Sequence, residues 1–178
     1  MPVVGFDVKT QRVLAYGKSW GDVGPYEELL GTLHFASDPE NDSNSRITDI
    51  GLAPRNEEGQ VEYTSDVSVI LPVDRTRGSG KMLLDVVNRG NRVSVPMFNL
   101  GVRPLFGGVH AEEPNPEIDP GNGFLMRHGY TLVWCGWQPD LPDTPGLVGM
   151  RTAPEALGPD GRSLQGNILG IVKHLQTV

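Results

Sequence analysis

The side chains able to do covalent chemistry in this sequence are few, and their settings decide their use. A serine becomes a nucleophile when it sits on a sharp turn that leaves a strand and opens a helix, with flanking glycines in the pattern Gly-x-Ser-x-Gly. That pentapeptide does not occur here. The nearest match, Gly78-Ser79-Gly80, lies before an apolar string rather than after one and reads as a plain turn. Ser94 and Ser163 have no better setting, and a triad would also need a histidine and a carboxylate from later loops. Among the histidines, His128 stands beside Gly129 at the end of a short helical pattern, where a cation suits the helix dipole. His34 falls on the polar face of a strand. His110 with Glu112 and Glu113 has the makings of an acid/base or metal cluster, but Pro114 and Pro116 behind it favour a solvated loop. The single cysteine, Cys135, excludes an internal disulfide, and the four histidines lack zinc-like spacing. No catalytic residue is identifiable within the chain, and neither a metal nor an organic cofactor is expected.

Two other stretches could shape a site. Asn88-Arg89-Gly90-Asn91 leaves the end of an apolar string, and its glycine lets backbone approach a ligand closely; the plainer use is a tight loop, with Arg89 as an ion-pair partner. Trp134, Trp137 and Gln138 close a second apolar string, where an indole either lines a pocket or packs in the core.

The elements that must position these residues are legible in part. Leu33 and Phe35 alternate with Thr32 and His34, which predicts a strand with a possible bulge at Gly31; a helix opening at Gly24-Pro25 competes for the same region. A loop over 38–45 precedes a short strand over Arg46 to Ala53. Asn56-Glu57-Glu58-Gly59 then forms a turn into a long antiparallel strand with Val61, Tyr63, Val67, Val69, Leu71 and Val73 on one face. The strings Met82 to Val87 and Tyr130 to Cys135 are apolar on both faces, which predicts parallel neighbours covered on both sides. A short helix over Gly123 to Gly129 leads into the second of them. The loop between them, Asn88 to Asn122, is too long for a passive connection. Pro139 to Gly161 is again loop, and a last apolar string runs from Ile168 to Val172.

Composition bounds the function. The 178 residues make one ordinary domain, and 15 Lys and Arg against 22 Asp and Glu leave a net charge of −7, which disfavours nucleic acid and anionic membrane surfaces as partners. The 23 glycines and 15 prolines far exceed the usual combined share of about 12%, so elements are short and turns frequent. Met1 to Gly17 has no signal-like apolar stretch, and no window reaches the roughly 18 residues of a membrane helix. A cytoplasmic protein is expected, with removal of a presequence left open.

The blocks Gly24-Pro25-Tyr26-Glu27, Gly31-Thr32-Leu33-His34-Phe35-Ala36, Leu52-Ala53-Pro54-Arg55-Asn56, Asn88-Arg89-Gly90-Asn91, Gly121-Asn122-Gly123-Phe124-Leu125-Met126 and Trp134-Cys135-Gly136-Trp137-Gln138 together resemble the α/β-hydrolase domain-containing proteins. In that family they occur in this order in the amino-terminal part of a much longer chain. The resemblance implies an α/β fold class: a partial hydrolase-like sheet, β-rich and loop-rich, with antiparallel leading strands over 1–75, early sheet strands over 80–138, and a loop with the start of a further strand over 139–178. It implies esterase-like hydrolysis of a small-molecule ester, with Asn88, Arg89, Gly90 and Asn91 on the oxyanion side and the nucleophile absent from this chain. The alternative is a non-catalytic β-rich binding or interaction module.

Overall fold

The computed structural model describes residues 3–101, 118–144 and 146–167. Its centre is one six-stranded sheet: β1 (Val3–Val13), β2 (Tyr26–Ser37), β3 (Val61–Pro72), β4 (Met82–Val86), β5 (Thr131–Cys135) and β6 (Met150–Thr152). The order is β1-β2-β3-β5-β4, with β6 added against β3. Strand β4 runs parallel to β5, and every other pairing is antiparallel.

The competition over Gly24 to Phe35 is resolved as strand. β2 pairs along its whole length with β3, from Tyr26 opposite Pro72 to Ser37 opposite Val61, and this long ladder overrides the local helical propensity of Glu27 to Leu30. The irregularity near Gly31 lies in β1, whose register slips between Val8 and Thr10. Gly31 itself is needed for close approach, since a Cβ there would sit 2.0 Å from the Asp7 carbonyl oxygen.

The α/β expectation is overturned. The described helices are α1 (Ser94–Asn99) and α2 (Phe124–Arg127), of 6 and 4 residues, and the sheet is mostly antiparallel, so the architecture is β-rich rather than a parallel sheet flanked by helices. The cause is visible in the connection from β4 to β5. Among the described residues there, left-handed Leu100 ends α1, and Pro120 with left-handed Gly121 and Gly123 stands just before α2, so neither described helix is long enough to lay a continuous apolar stripe on the sheet.

Both helices pack on the same face. Tyr26 and Glu28 of β2, Ser68 and Ile70 of β3, and Leu132 and Trp134 of β5 share that face by register. They meet Val95 of α1, Leu125 and Met126 of α2, and Leu14, Trp20, Val23 and Val87 from the loops. Tyr26 anchors the layer by donating its hydroxyl to the Met126 carbonyl at 3.0 Å, and burial pushes its pKa up to about 12. Fully buried Asn99 donates to the Pro120 carbonyl at 3.0 Å and accepts from the Leu125 N–H at 3.0 Å, joining α1 to α2.

Two further expectations change. Strand β4 is not covered on both sides: it is the outermost strand, and Met82, Leu84 and Val86 are 63%, 54% and 71% exposed. Arg46 to Ala53 forms turns and a single 3-10 turn at Ile50–Leu52 rather than a strand, its backbone satisfied locally by bonds from the Ile47, Leu52 and Ala53 N–H groups to the Asn44, Asp49 and Ile50 carbonyls. The Asn56 turn forms as expected, with its side chain accepting from the Glu58 and Gln60 N–H groups at 3.0 and 2.9 Å. His110, Glu112 and Glu113, and the string Ile168 to Val172, lie outside the described residues.

The open outer face of β4 makes a direct prediction. Ile70→Ala, at the fully buried centre, should lower unfolding free energy by about 2–5 kcal/mol, whereas Leu84→Ala on the open face should change it by less than about 0.5 kcal/mol. Urea denaturation of the two variants checks this, and equal losses would mean that the outer face is packed after all.

Candidate functional site

The two parallel strands deliver their following loops to one place. At the carboxyl end of β4, Arg89 and Gly90 adopt left-handed backbone, with φ of 52° and 78°. The turn is closed by the Asn91 N–H and side-chain amide, which donate to the Asn88 carbonyl at 3.1 and 3.0 Å. Beyond the end of β5, Gln138 turns back so that its Oε1 accepts the Arg89 N–H at 2.8 Å, and Trp137 Nε1 donates to the Val87 carbonyl at 2.7 Å. The Arg89 guanidinium grips Asp140 through both carboxylate oxygens at 2.9 and 2.7 Å, and this hydrogen bond holds the Asp140 carboxyl below its usual range. Gly90 is buried against the 141–148 segment, where a Cβ would come within 2.8 Å of Leu141 Cδ1, and its carbonyl accepts the Val148 N–H at 3.0 Å.

Asn88, Arg89, Gly90, Asn91, Trp137 and Gln138 are thus brought together. Trp134 is not with them: it is fully buried, its Nε1 donating to Asp85 at 2.7 Å, and it belongs to the core. The same Asp85 oxygen accepts the N–H groups of Val93 and Ser94 at 3.1 and 2.8 Å, which fixes where the loop ends and α1 begins. Ser79 bonds the Gly129 carbonyl at 2.9 Å in a turn, His128 packs edge-on against Phe124, and His34 faces Asp7 at 2.8 Å on the exposed side of the leading hairpin. Among the described residues no serine hydroxyl is bonded to a histidine, and no group of three His, Cys, Asp or Glu could hold a metal ion. No helix among them is long and apolar enough to cross a membrane. Burial pushes the Cys135 thiol up, away from the thiolate form.

A second constellation was missed in the sequence. Glu28, with no exposed side-chain surface, accepts Arg12 Nε and Nη2 at 2.8 and 2.5 Å, and on its other oxygen accepts Arg92 and lies 3.4 Å from Ser68 Oγ. Nearby, Asp66 accepts Arg151 Nε at 2.5 Å and the Gly149 N–H at 3.2 Å, while Arg151 also reaches Asp143 at 3.2 Å. The signal was present: Glu28 occupies the strand face that Tyr26 buries, and a carboxylate in that position must find cations.

No family model matches the chain, and no curated protein or solved structure matches it.

Two outcomes follow from these ion pairs. Glu28→Gln leaves two arginines facing a neutral amide and should cost about 3–5 kcal/mol in chemical denaturation. Glu27 is buried enough to raise its pKa, but hydrogen bonds from Gln11 and Arg75 and the Arg75 charge outweigh this and lower it from 4.5. Its stabilisation is therefore present above the unfolded value and is lost as pH falls through the lower folded one. Glu27→Gln should flatten the acid side of the stability profile below about pH 4.5, measured by urea midpoints across pH.

Proposed function

We propose that this chain is the scaffold and substrate-side part of an esterase-like hydrolase, akin to the α/β-hydrolase domain-containing proteins that its residue blocks resemble, and that alone it hydrolyses no ester. The observation that carries this reading is the meeting of Arg89-Gly90 and Gln138 at the carboxyl ends of the two parallel strands, the end of such strands at which ligands bind. The Arg89 N–H is aimed outward at a neutral carbonyl oxygen, that of Gln138. A substrate carbonyl that displaced the Gln138 side chain would meet the same donor, and a backbone donor at that point stabilises charge developing on the oxygen during acyl transfer. The likeness rests on the residue blocks and this loop, not on the sheet, which is mostly antiparallel. The nucleophile, the acid and the histidine would come from outside this chain, and the substrate would be a small-molecule ester.

A second reading, a non-catalytic β-rich interaction module, is favoured by one observation: the outermost strand presents Met82, Leu84 and Val86 to solvent, where a partner could cover them.

Reading the DNA after the codon for Val178, together with assays on the purified chain, tests both. Expected are a continuing or frameshifted frame that encodes Gly-x-Ser-x-Gly, background turnover of p-nitrophenyl acetate, and no labelling by a fluorophosphonate. A stop codon with no such frame, plus cooperative unfolding of the purified chain, would replace the hydrolase reading with the module. Fluorophosphonate labelling that vanishes in Ser79→Ala would place the nucleophile in this chain and overturn the proposal.

A further inference from the structure

Beside the Glu28 cluster, on the core-facing side of the leading strands, lies a cavity of about 330 Å³. Its wall includes Lys9, Arg92 and Arg151 together with Leu30, Leu147 and Val148. We propose that this cavity binds a small organic carboxylate, with the guanidinium of Arg92 as its anchor.

The argument starts from how Arg92 is held. Its side chain is 9% exposed, and its Nη1 is engaged by Glu28 and by Ser68 Oγ at 3.1 Å. That leaves the edge formed by Nε and Nη2 without a protein acceptor among the described residues. Arg92 lines this cavity, and that edge is the part of its guanidinium left to face it. Two parallel N–H donors on a fixed guanidinium match the two oxygens of a carboxylate. Glu28, Ser68 and the Trp134 ring, 6.0 Å from the guanidinium carbon, hold the fork in place before any ligand arrives.

Charge and polarity narrow the ligand. Asp66 and Asp143 also line the cavity, but Arg151 bridges both, so Arg92 and Lys9 are the cations not answered by that pair. Arg92 shares Glu28 with Arg12, which keeps this corner from being neutralised by a single carboxylate. Two aspartates in the wall oppose a dianion, which disfavours phosphate. Leu30, Leu147 and Val148 supply apolar surface for the body of the ligand, and the volume falls at the small end of ligand pockets. A monoanionic carboxylate with a compact apolar body satisfies all of these. The inference does not rest on the hydrolase reading, since no residue of the 88–91 loop or of 137–138 takes part in it.

The test is titration of the purified chain with sodium benzoate, benzamide and inorganic phosphate, followed by calorimetry and by the ¹⁵N NMR signal of Arg92 Nε–H. Benzoate should bind about tenfold or more tightly than its neutral isostere benzamide and than phosphate, and should move the Arg92 signal. Arg92→Lys keeps a cation on Glu28 but loses the fork, and should weaken benzoate about tenfold or more. Should that variant fail to fold, the Arg92 signal of the unaltered protein decides the matter. Equal affinity for benzoate and benzamide, tighter binding of phosphate, no benzoate binding at tens of millimolar, or binding that leaves the Arg92 signal unmoved would each overturn the proposal.

Discussion

A carboxylate with no exposed surface governs much of this molecule. Glu28 stands on the inward face of β2, and removing such a charge from water costs several kcal/mol unless cations and donors replace the water. The replacements come from places far apart in sequence: Arg12 on β1, Ser68 on β3 and Arg92 on the loop after β4. The requirement therefore pins the leading hairpin, the central strand and the long connection to one point. It also explains why the 88–91 loop has a definite shape. The loop is held at its base by Asp85, which takes the Val93 and Ser94 N–H groups, and just beyond it by Arg92 on Glu28, so the left-handed turn at Arg89-Gly90 is clamped from one flank while Gln138 and Asp140 hold it from the other.

A chain so rich in glycine and proline cannot stabilise itself by laying long helices on a sheet, and its solution is polar. Side chains that bond backbone do the work that helix packing does elsewhere: Asn99 between the two short helices, Asp85 between strand and loop, and Asp66 between β3 and the segment leading into β6. Asn99 and Asp85 each satisfy two backbone groups and Asp66 satisfies one, which lets irregular backbone be buried with its polar groups paired. The apolar core that remains is compact, gathered around Tyr26, Ile70, Leu132 and Trp134 on one side of the sheet.

This division decides what could be read from sequence. The period-2 pattern over Val61 to Val73, the asparagine turn before it, and the pairing of Met82 to Val87 with Tyr130 to Cys135 depend on local alternation and apolar content, and all are found. The inward face of β3 was not legible, because its buried positions include Ser68, a residue whose burial makes sense only once Glu28 and Arg92 are beside it. The layout of the layers was not legible either: the apolar string of β4, suited to a strand covered on both faces, is covered on one. Of the candidate site, the loop residues Asn88 to Asn91 with Trp137 and Gln138 were identifiable from turn chemistry at strand ends. Trp134 and the Glu28 network were not, since which indole is buried and which carboxylate is paired depend on contacts between residues tens of positions apart.

The polarity of β4 bears on how the two sides of the sheet divide their tasks. Its inward residues are Leu83 and the bonding Asp85, while its outward ones are Met82, Leu84 and Val86, so the more apolar side is the one that faces water. Such a strand gains nothing from that arrangement in the isolated sheet; it would gain where something packs on the outward face. The cavity at Arg92 opens on the opposite face, beside Leu30 and Asp66, where the strands carry their buried polar groups. Covering the outward side of β4 would therefore leave the Arg92 fork and its wall untouched. Ligand capture on one face and association on the other can coexist, because no residue of β4 lines the cavity.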